Sequence, residues 1–188
     1  LALSGGGADG AFGAGVLNGW TKSGQRPEFN IVTGVSAGAL LAPFAFLGPE
    51  WDGKMAKLYT SISTNDIFDA TLIAAIRGGP ALGANTPLRR LIDQNVDDRM
   101  LTLIAAEHAK GSRVFVGTSS VDAARPATWD LGAIASVGTP AAKRLFKQVL
   151  LASAAIPGVF PPVAIEVEWG GKTYTELHVD GGVTSQVF

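Results

Sequence analysis

FNIVTGVSAG, from Phe29 to Gly38, begins as an apolar run typical of a β-strand and ends in a pentapeptide with Ser36 at its centre. The apolar residues that follow predict a helix directly behind this serine. A strand, a tight glycine-flanked turn and a helix form the construction of a nucleophile elbow, in which the positive end of the helix favours negative charge on the serine oxygen. The pentapeptide alone does not establish a catalytic serine, because small residues cluster in loops of every kind. The residues around Ser36 in this elbow are Gly34, Val35, Ala37 and Gly38.

A second glycine-rich segment, SGGGADG, lies between the apolar Leu1-Ala2-Leu3 and a helix-like stretch that begins at Ala11. Consecutive glycines between a strand and a helix leave backbone N–H groups without partners and direct them at whatever occupies the helix N-terminus. The segment is therefore a candidate for binding negative charge. Its residues are Gly5, Gly6, Gly7, Ala8, Asp9 and Gly10.

Four interpretations of this glycine segment compete. A dinucleotide fingerprint needs an acidic residue at the end of the second strand, whereas Glu28 precedes that strand and the strand ends in the serine turn. A Walker-type phosphate loop needs Gly-Lys-Ser/Thr, which the segment lacks. The third interpretation is an oxyanion hole, and the fourth is a tight strand-to-helix turn with no function.

The third segment is HVDGG, from His178 to Gly182, near the end of the sequence. It follows an alternating pattern around Gly170-Gly171 that predicts a β-hairpin. Asp180, followed by Gly181 and Gly182, is either a residue of an open site at the end of a strand or a plain turn aspartate. His178 lies two residues earlier, so on a regular strand both side chains point to the same face. His178 is either an auxiliary residue of the site, an exposed strand histidine, or a hydrogen-bonding support for the Asp180 loop.

Taken together and in this order, these segments resemble the patatin-like phospholipase family. The resemblance implies that Gly5 to Gly10 form an oxyanion hole, that Ser36 is the nucleophile, and that Asp180 of the Asp-Gly-Gly motif is the base of a Ser-Asp dyad without histidine. The run ASAAIPGVFPP, from Ala152 to Pro162, is also similar to an Ala-Ser-x-Ala-x-Pro-x-x-Phe-x-Pro run of that family.

The resemblance implies an α/β fold, three-layer α/β/α with a mostly parallel central sheet, in a single patatin-like domain over residues 1–188. We expect this domain to be incomplete at both ends, because the chain opens inside the first predicted strand and stops soon after Asp180, where members of the family usually continue with more strands and helices. The implied function is a serine acyl hydrolase, a phospholipase A-type enzyme that cleaves carboxylic esters of lipids without a cofactor. The alternatives are an esterase with a Ser36-His178 triad and a lipid-binding module with little or no activity.

One residue departs from the family pattern. Asp9 stands where the family commonly has Arg or Lys, and a carboxylate there repels an oxyanion or a lipid phosphate at close range. The glycine amides can still stabilise an intermediate if Asp9 points away. We therefore expect a neutral ester, or a lipid whose phosphate lies elsewhere, to suit this site better than a phosphate bound on the loop.

The composition agrees with a compact enzyme domain. Apolar residues make up 47% of the 188 and charged residues 16%, while the net charge of −1 gives no electrostatic footprint for nucleic acid. There is no cysteine, and with only His108 and His178 we expect no zinc site. His108 is expected at the surface. Compartment and oligomeric state do not follow from these residues, which include no signal sequence.

The most apolar stretch, residues 149–167, contains prolines that exclude a membrane-spanning helix. It is interpreted as the end of a buried helix and a loop near the site, where Phe160 either packs in the core or meets a lipid surface in a transient contact.

Residues 65–95, irregular until a helix that begins at Pro87, could build a lid or an acyl-chain pocket. Further helices are expected at 11–22, 36–46 with a kink or early end at Pro43, 52–61, 101–110 and 141–155, and strands at 1–4, 29–33, 113–118 and 128–131.

Overall fold

The computed structural model describes residues 1–60 and 86–188. The helices in these ranges are α1 Gly10–Lys22, α2 Ala37–Leu47, α3 Asp52–Thr60, α4 Thr86–Asn95, α5 Asp98–Ala109, α6 Leu131–Ser136 and α7 Pro140–Ser153. The strands are β1 Ala2–Leu3, β2 Ile31–Val35, β3 Arg113–Ser120, β4 Arg125–Asp130, β5 Val163–Trp169 and β6 Lys172–Asp180. Short 3₁₀ turns cover Gly7–Asp9, Pro49–Trp51 and Gly181–Val183.

All six strands belong to one sheet, in which β1, β2 and β3 are neighbours and run parallel. Antiparallel pairing adds β4 and β6 to β3, and β5 to β6. The predicted α/β fold with a mostly parallel central sheet is confirmed. The predicted hairpin is confirmed as well, because Trp169 pairs with Lys172 across the Gly170-Gly171 turn.

One edge of β3 is shared by two strands that meet end to end. The strand β4 pairs along Phe115–Ser120 and so occupies one edge. The opposite edge of β3 pairs with both β2 and β6. The strand β2 runs parallel to β3 and ends with Val35 opposite Gly117. The strand β6 runs antiparallel to β3 and ends with Asp180 opposite Thr118. The last residues of β2 and β6 are therefore brought together at adjacent positions of β3.

Two helices cover this meeting point and pack against the sheet. The helix α2 contacts β1, β2 and β3, and its residues are nearly all buried. The helix α7 contacts β3, β5 and β6, and its last turns are buried through Val149, Leu150 and Leu151. The start of α7 is fixed at Pro140 because Thr139 caps the helix N-terminus and proline is favoured in the first turn.

Pro43 does not end α2 early. The helix continues to Leu47, so of the kink or early end expected at Pro43 the early end is wrong. Ala42 and Phe44, on either side of the proline, are buried in the core. The packing of this apolar helix outweighs the loss of one backbone hydrogen bond at the proline, as tertiary contacts commonly do.

Phe160 lies in the core and is only 2% exposed. Of the two positions expected for this side chain, packing in the core is confirmed and the lipid surface is not, because the loop after α7 turns the aromatic ring inward. In the described part of the chain, no helix combines the length and the apolar character needed to cross a membrane.

The lid or acyl-chain pocket predicted for residues 65–95 falls mostly outside the described residues. Its last part is α4, which begins at Thr86 with Pro87 in its first turn and so confirms the predicted helix. Leu88, Leu91 and Ile92 on this helix are buried in the core.

Candidate active site

Ser36 lies at a sharp turn between β2 and α2, with φ +55° and ψ −123°. A positive φ is rare for a residue other than glycine and costs about 1–3 kcal/mol, so the surrounding structure must hold it in place. The turn also needs Gly38, where a methyl group would collide with the backbone carbonyls of Leu3 and Ser4. The helix can therefore approach the end of β1 closely and place Ser36 beside the loop that follows β1.

The hydroxyl of Ser36 donates a hydrogen bond to the carboxylate of Asp180, with 2.6 Å between Oγ and Oδ2. Both residues are 5% exposed. The other carboxylate oxygen accepts from the amide of Gly182 at 2.7 Å. The Asp180 side chain is thus oriented by its own loop and directed at the serine.

Burial raises the pKa of the Asp180 carboxyl, although the hydrogen bonds from Ser36 and Gly182 oppose the rise. Desolvation disfavours the charged form more than these two bonds favour it. This carboxylate is consequently a stronger base than an aspartate in water.

The glycine loop lies against Ser36. A methyl group on Gly5 would sit 3.1 Å from Ser36 Cβ and 3.8 Å from its Oγ. Gly7, with φ +55°, begins the 3₁₀ turn that leads into α1. Among the described residues, none accepts a hydrogen bond from the amides of Gly5, Gly6 or Gly7. These N–H groups remain available for a negatively charged ligand atom next to the serine.

Asp9 closes this loop with its side chain exposed. Its amide donates to the carbonyl of Gly6 at 3.0 Å, and its carboxylate makes no capping hydrogen bond to α1. The helix α1 then begins at Gly10, which packs tightly against Tyr59.

His178 is fully buried and belongs to a different cluster. Its Nδ1 lies 2.9 Å from Thr118 Oγ1 and its Nε2 lies 3.2 Å from Glu176 Oε2. The indole N–H of Trp129 also donates to Thr118, and the two rings meet edge to face. Both ring nitrogens are engaged away from Ser36, and burial lowers the pKa of His178. The interpretation of His178 as an exposed strand residue is wrong.

His108 is partly buried, with 20% of its side chain exposed, so the surface position expected for it is met only in part. Its ring packs against Gly132 at the start of α6, where a methyl group would collide with the imidazole. Its Nδ1 lies 3.6 Å from an oxygen of Asp130. Contact between α5 and α6 covers this side chain.

Sequence reasoning assigned no role to Ser153, although this serine lies in the Ala152 to Pro162 run. Ser153 is fully buried at the end of α7, and its hydroxyl accepts a hydrogen bond from the amide of Ser36 at 3.0 Å. The signal in the sequence was a lone serine at the buried end of an apolar helix. Tyr59 is a second missed neighbour, since its hydroxyl donates to the carbonyl of Ala37 at 3.0 Å.

Comparison with solved structures shows that the fold is shared with a larger protein. The crystal structure of VipD from Legionella pneumophila matches with a TM-score of 0.56 at 13% sequence identity. The match covers 99% of this chain but 46% of VipD, so the chain spans about half the length of that protein. No curated protein sequence matches this chain.

At the level of families, the agreement extends over the whole sequence. Residues 1–188 match the patatin-like phospholipase family. The matched range includes the glycine loop, the serine turn and the strand end that carries Asp180, which the fold brings to one place. The chain therefore belongs to the patatin-like phospholipase family.

Proposed function

We propose that this chain is a serine acyl hydrolase that cleaves carboxylic esters of lipids, with Ser36 as nucleophile and Asp180 as its base. Membership of the patatin-like phospholipase family implies lipid acyl hydrolase activity. The observation that carries the finer proposal is the buried 2.6 Å hydrogen bond from Ser36 Oγ to Asp180 Oδ2. A hydroxyl within reach of a base is the general signature of an activated nucleophile.

The proposed reaction has two halves. Asp180 accepts the hydroxyl proton as Ser36 Oγ attacks the ester carbonyl, and the amides of Gly6, Gly7 and Ala8 stabilise the resulting oxyanion. The intermediate collapses to an acyl-enzyme, and the leaving alcohol takes the proton from Asp180. Water then attacks the acyl group with Asp180 as base, which releases the fatty acid and restores Ser36.

A carboxylate in water would be a poor base for a serine hydroxyl, since its ordinary pKa is about 3.9. Burial at the junction of β2 and β6 raises the pKa of Asp180 and so reduces this mismatch. The helix α2 adds the favourable field of its N-terminus at Ser36.

The alternative functions have less support. A triad through His178 requires a ring nitrogen at Ser36, whereas both nitrogens lie at hydrogen-bonding distance from Thr118 and Glu176. A binding module that has lost its chemistry would not need a serine and a carboxylate held together in a buried turn. We therefore favour the hydrolase with a Ser-Asp dyad.

Labelling with a fluorophosphonate probe tests the proposed function directly. We expect a stoichiometric covalent adduct on Ser36, mapped by peptide mass spectrometry, because the probe reacts with activated serines. The Ser36→Ala protein should remain unlabelled under the same conditions. Absence of an adduct on the folded wild-type protein, or an adduct on another serine, would contradict the assignment.

Asp9→Arg should shift substrate preference towards anionic phospholipid. A cation at the start of α1 would strengthen anion binding beside the glycine loop by about 1 kcal/mol, which is roughly fivefold. The measurement is the ratio of kcat/KM for an anionic phospholipid to that for a neutral ester of equal chain length. Asp9→Asn is the matched control and should change the ratio less. An unchanged ratio in Asp9→Arg would show that this side chain does not face the substrate.

A further inference from the structure

The residues at the end of α7 contact both halves of the proposed dyad. Ser153, the last residue of the helix, accepts a hydrogen bond from the amide of Ser36 at 3.0 Å. Two residues later, the carbonyl of Ala155 accepts a hydrogen bond from the amide of Asp180 at 2.9 Å. One short segment thus binds the backbone of the nucleophile and the backbone of its base.

The hydroxyl of Ser153 also donates to the carbonyl of Gly117, with 2.6 Å between the oxygens. Gly117 is the residue of β3 that lies opposite Val35, at the point where β2 and β6 both end. A hydroxyl is both donor and acceptor, so it can join an N–H group to a carbonyl in one step. Alanine at position 153 would leave these two buried backbone groups without this partner.

The position of this bond matters because of the backbone conformation of Ser36. The amide that Ser153 binds belongs to the residue with φ +55°, and no turn of α2 supplies it with a partner. The hydroxyl of Ser153 fixes the peptide group that contains the Ser36 amide. Rotation of this peptide group would change the direction in which Ser36 Oγ points. Ser153 itself is fully buried, so it acts through Ser36 and not through the substrate.

We propose that Ser153 is a positioning residue, which holds the Ser36 turn in the conformation that directs Oγ at Asp180. This inference rests on the proposed function, because it assigns a role within the Ser36–Asp180 site. Ala155 holds Asp180 through its backbone and cannot be tested by removing a side chain. Of the two contacts, the one made by the Ser153 side chain can therefore be tested by mutation.

The test compares Ser153→Ala with Ser120→Ala. Ser120 is a matched control, since it is also a buried serine whose hydroxyl accepts a backbone amide, that of Ala123, away from Ser36. We expect Ser153→Ala to lower kcat by about ten- to hundredfold, because small misplacement of a reacting group has effects of this size. KM should stay within about twofold, as expected when ground-state binding is unaffected. Ser120→Ala should retain the wild-type kcat.

Hydrogen–deuterium exchange of the peptide that contains Ser36 gives a readout independent of catalysis. Exchange should be faster in Ser153→Ala than in the wild-type protein and unchanged in Ser120→Ala, and thermal unfolding of each variant checks that it is folded. Wild-type kcat together with wild-type exchange in a folded Ser153→Ala protein would overturn the inference. If the wild-type protein hydrolyses no ester, the proposed function fails, while the exchange rates still decide whether Ser153 holds the Ser36 turn.

Discussion

Ser36→Ala is expected to abolish ester hydrolysis. Removal of the hydroxyl deletes the only group at this turn that can form an acyl-enzyme, and losses on the order of 10⁶-fold in kcat are typical when a serine nucleophile is removed. The fold should survive, because alanine accepts the same backbone angles about as well as serine does. Turnover of p-nitrophenyl esters by the purified variant, followed beside its thermal unfolding, measures both expectations.

The control for Ser36→Ala is Ser136→Ala on α6, where an exposed serine donates a hydrogen bond to the carbonyl of Gly132 in its own helix. This variant should hydrolyse esters at the wild-type rate. Substantial residual turnover by a folded Ser36→Ala protein would remove Ser36 as the nucleophile.

Asp180→Asn should lose most of the activity, and His178→Ala only a modest part. Asparagine has nearly the shape of aspartate and can keep bonds to Ser36 and Gly182, but it cannot accept the hydroxyl proton. Loss of a general base of this kind lowers kcat by roughly 10²- to 10⁴-fold. His178→Ala instead removes a buried ring from between Thr118 and Glu176, which affects mainly stability. Steady-state kinetics of both variants give the ranking, and the opposite ranking would indicate a histidine-mediated mechanism.

The pH dependence of kcat/KM checks the same assignment, since it reports groups of the free enzyme. The base must be deprotonated, so activity should fall as the pH drops through the pKa of Asp180. Burial raises that pKa, and the acid limb should therefore lie above the value of about 3.9 for an aspartate in water. In His178→Ala this limb should stay where it is in the wild-type protein. A shift of this acid limb in the His178→Ala protein would contradict the role of Asp180 as the base.

The sequence by itself determined the features that depend on neighbouring residues. The strand, turn and helix around Ser36 follow from an apolar run, two glycines and a second apolar run, and the hairpin at Gly170-Gly171 follows from alternation on both sides of a turn. The order of these segments also identified the α/β fold. Such features are predictable because backbone sterics and hydrophobic periodicity act over a few residues.

The resemblance named Asp180 as the partner of Ser36 and left His178 as an alternative, and only the tertiary structure decided which of the two side chains contacts Ser36. Asp180 and His178 lie two residues apart on one strand, and local pattern does not distinguish them. The choice follows from the end-to-end meeting of β2 and β6 along β3, which places Asp180 beside Ser36 and leaves His178 against Thr118. The contact of Ser153 with Ser36, 117 residues apart, was equally hidden. Strand register and helix packing join residues distant in the chain, so no window of sequence contains the information that sets these contacts.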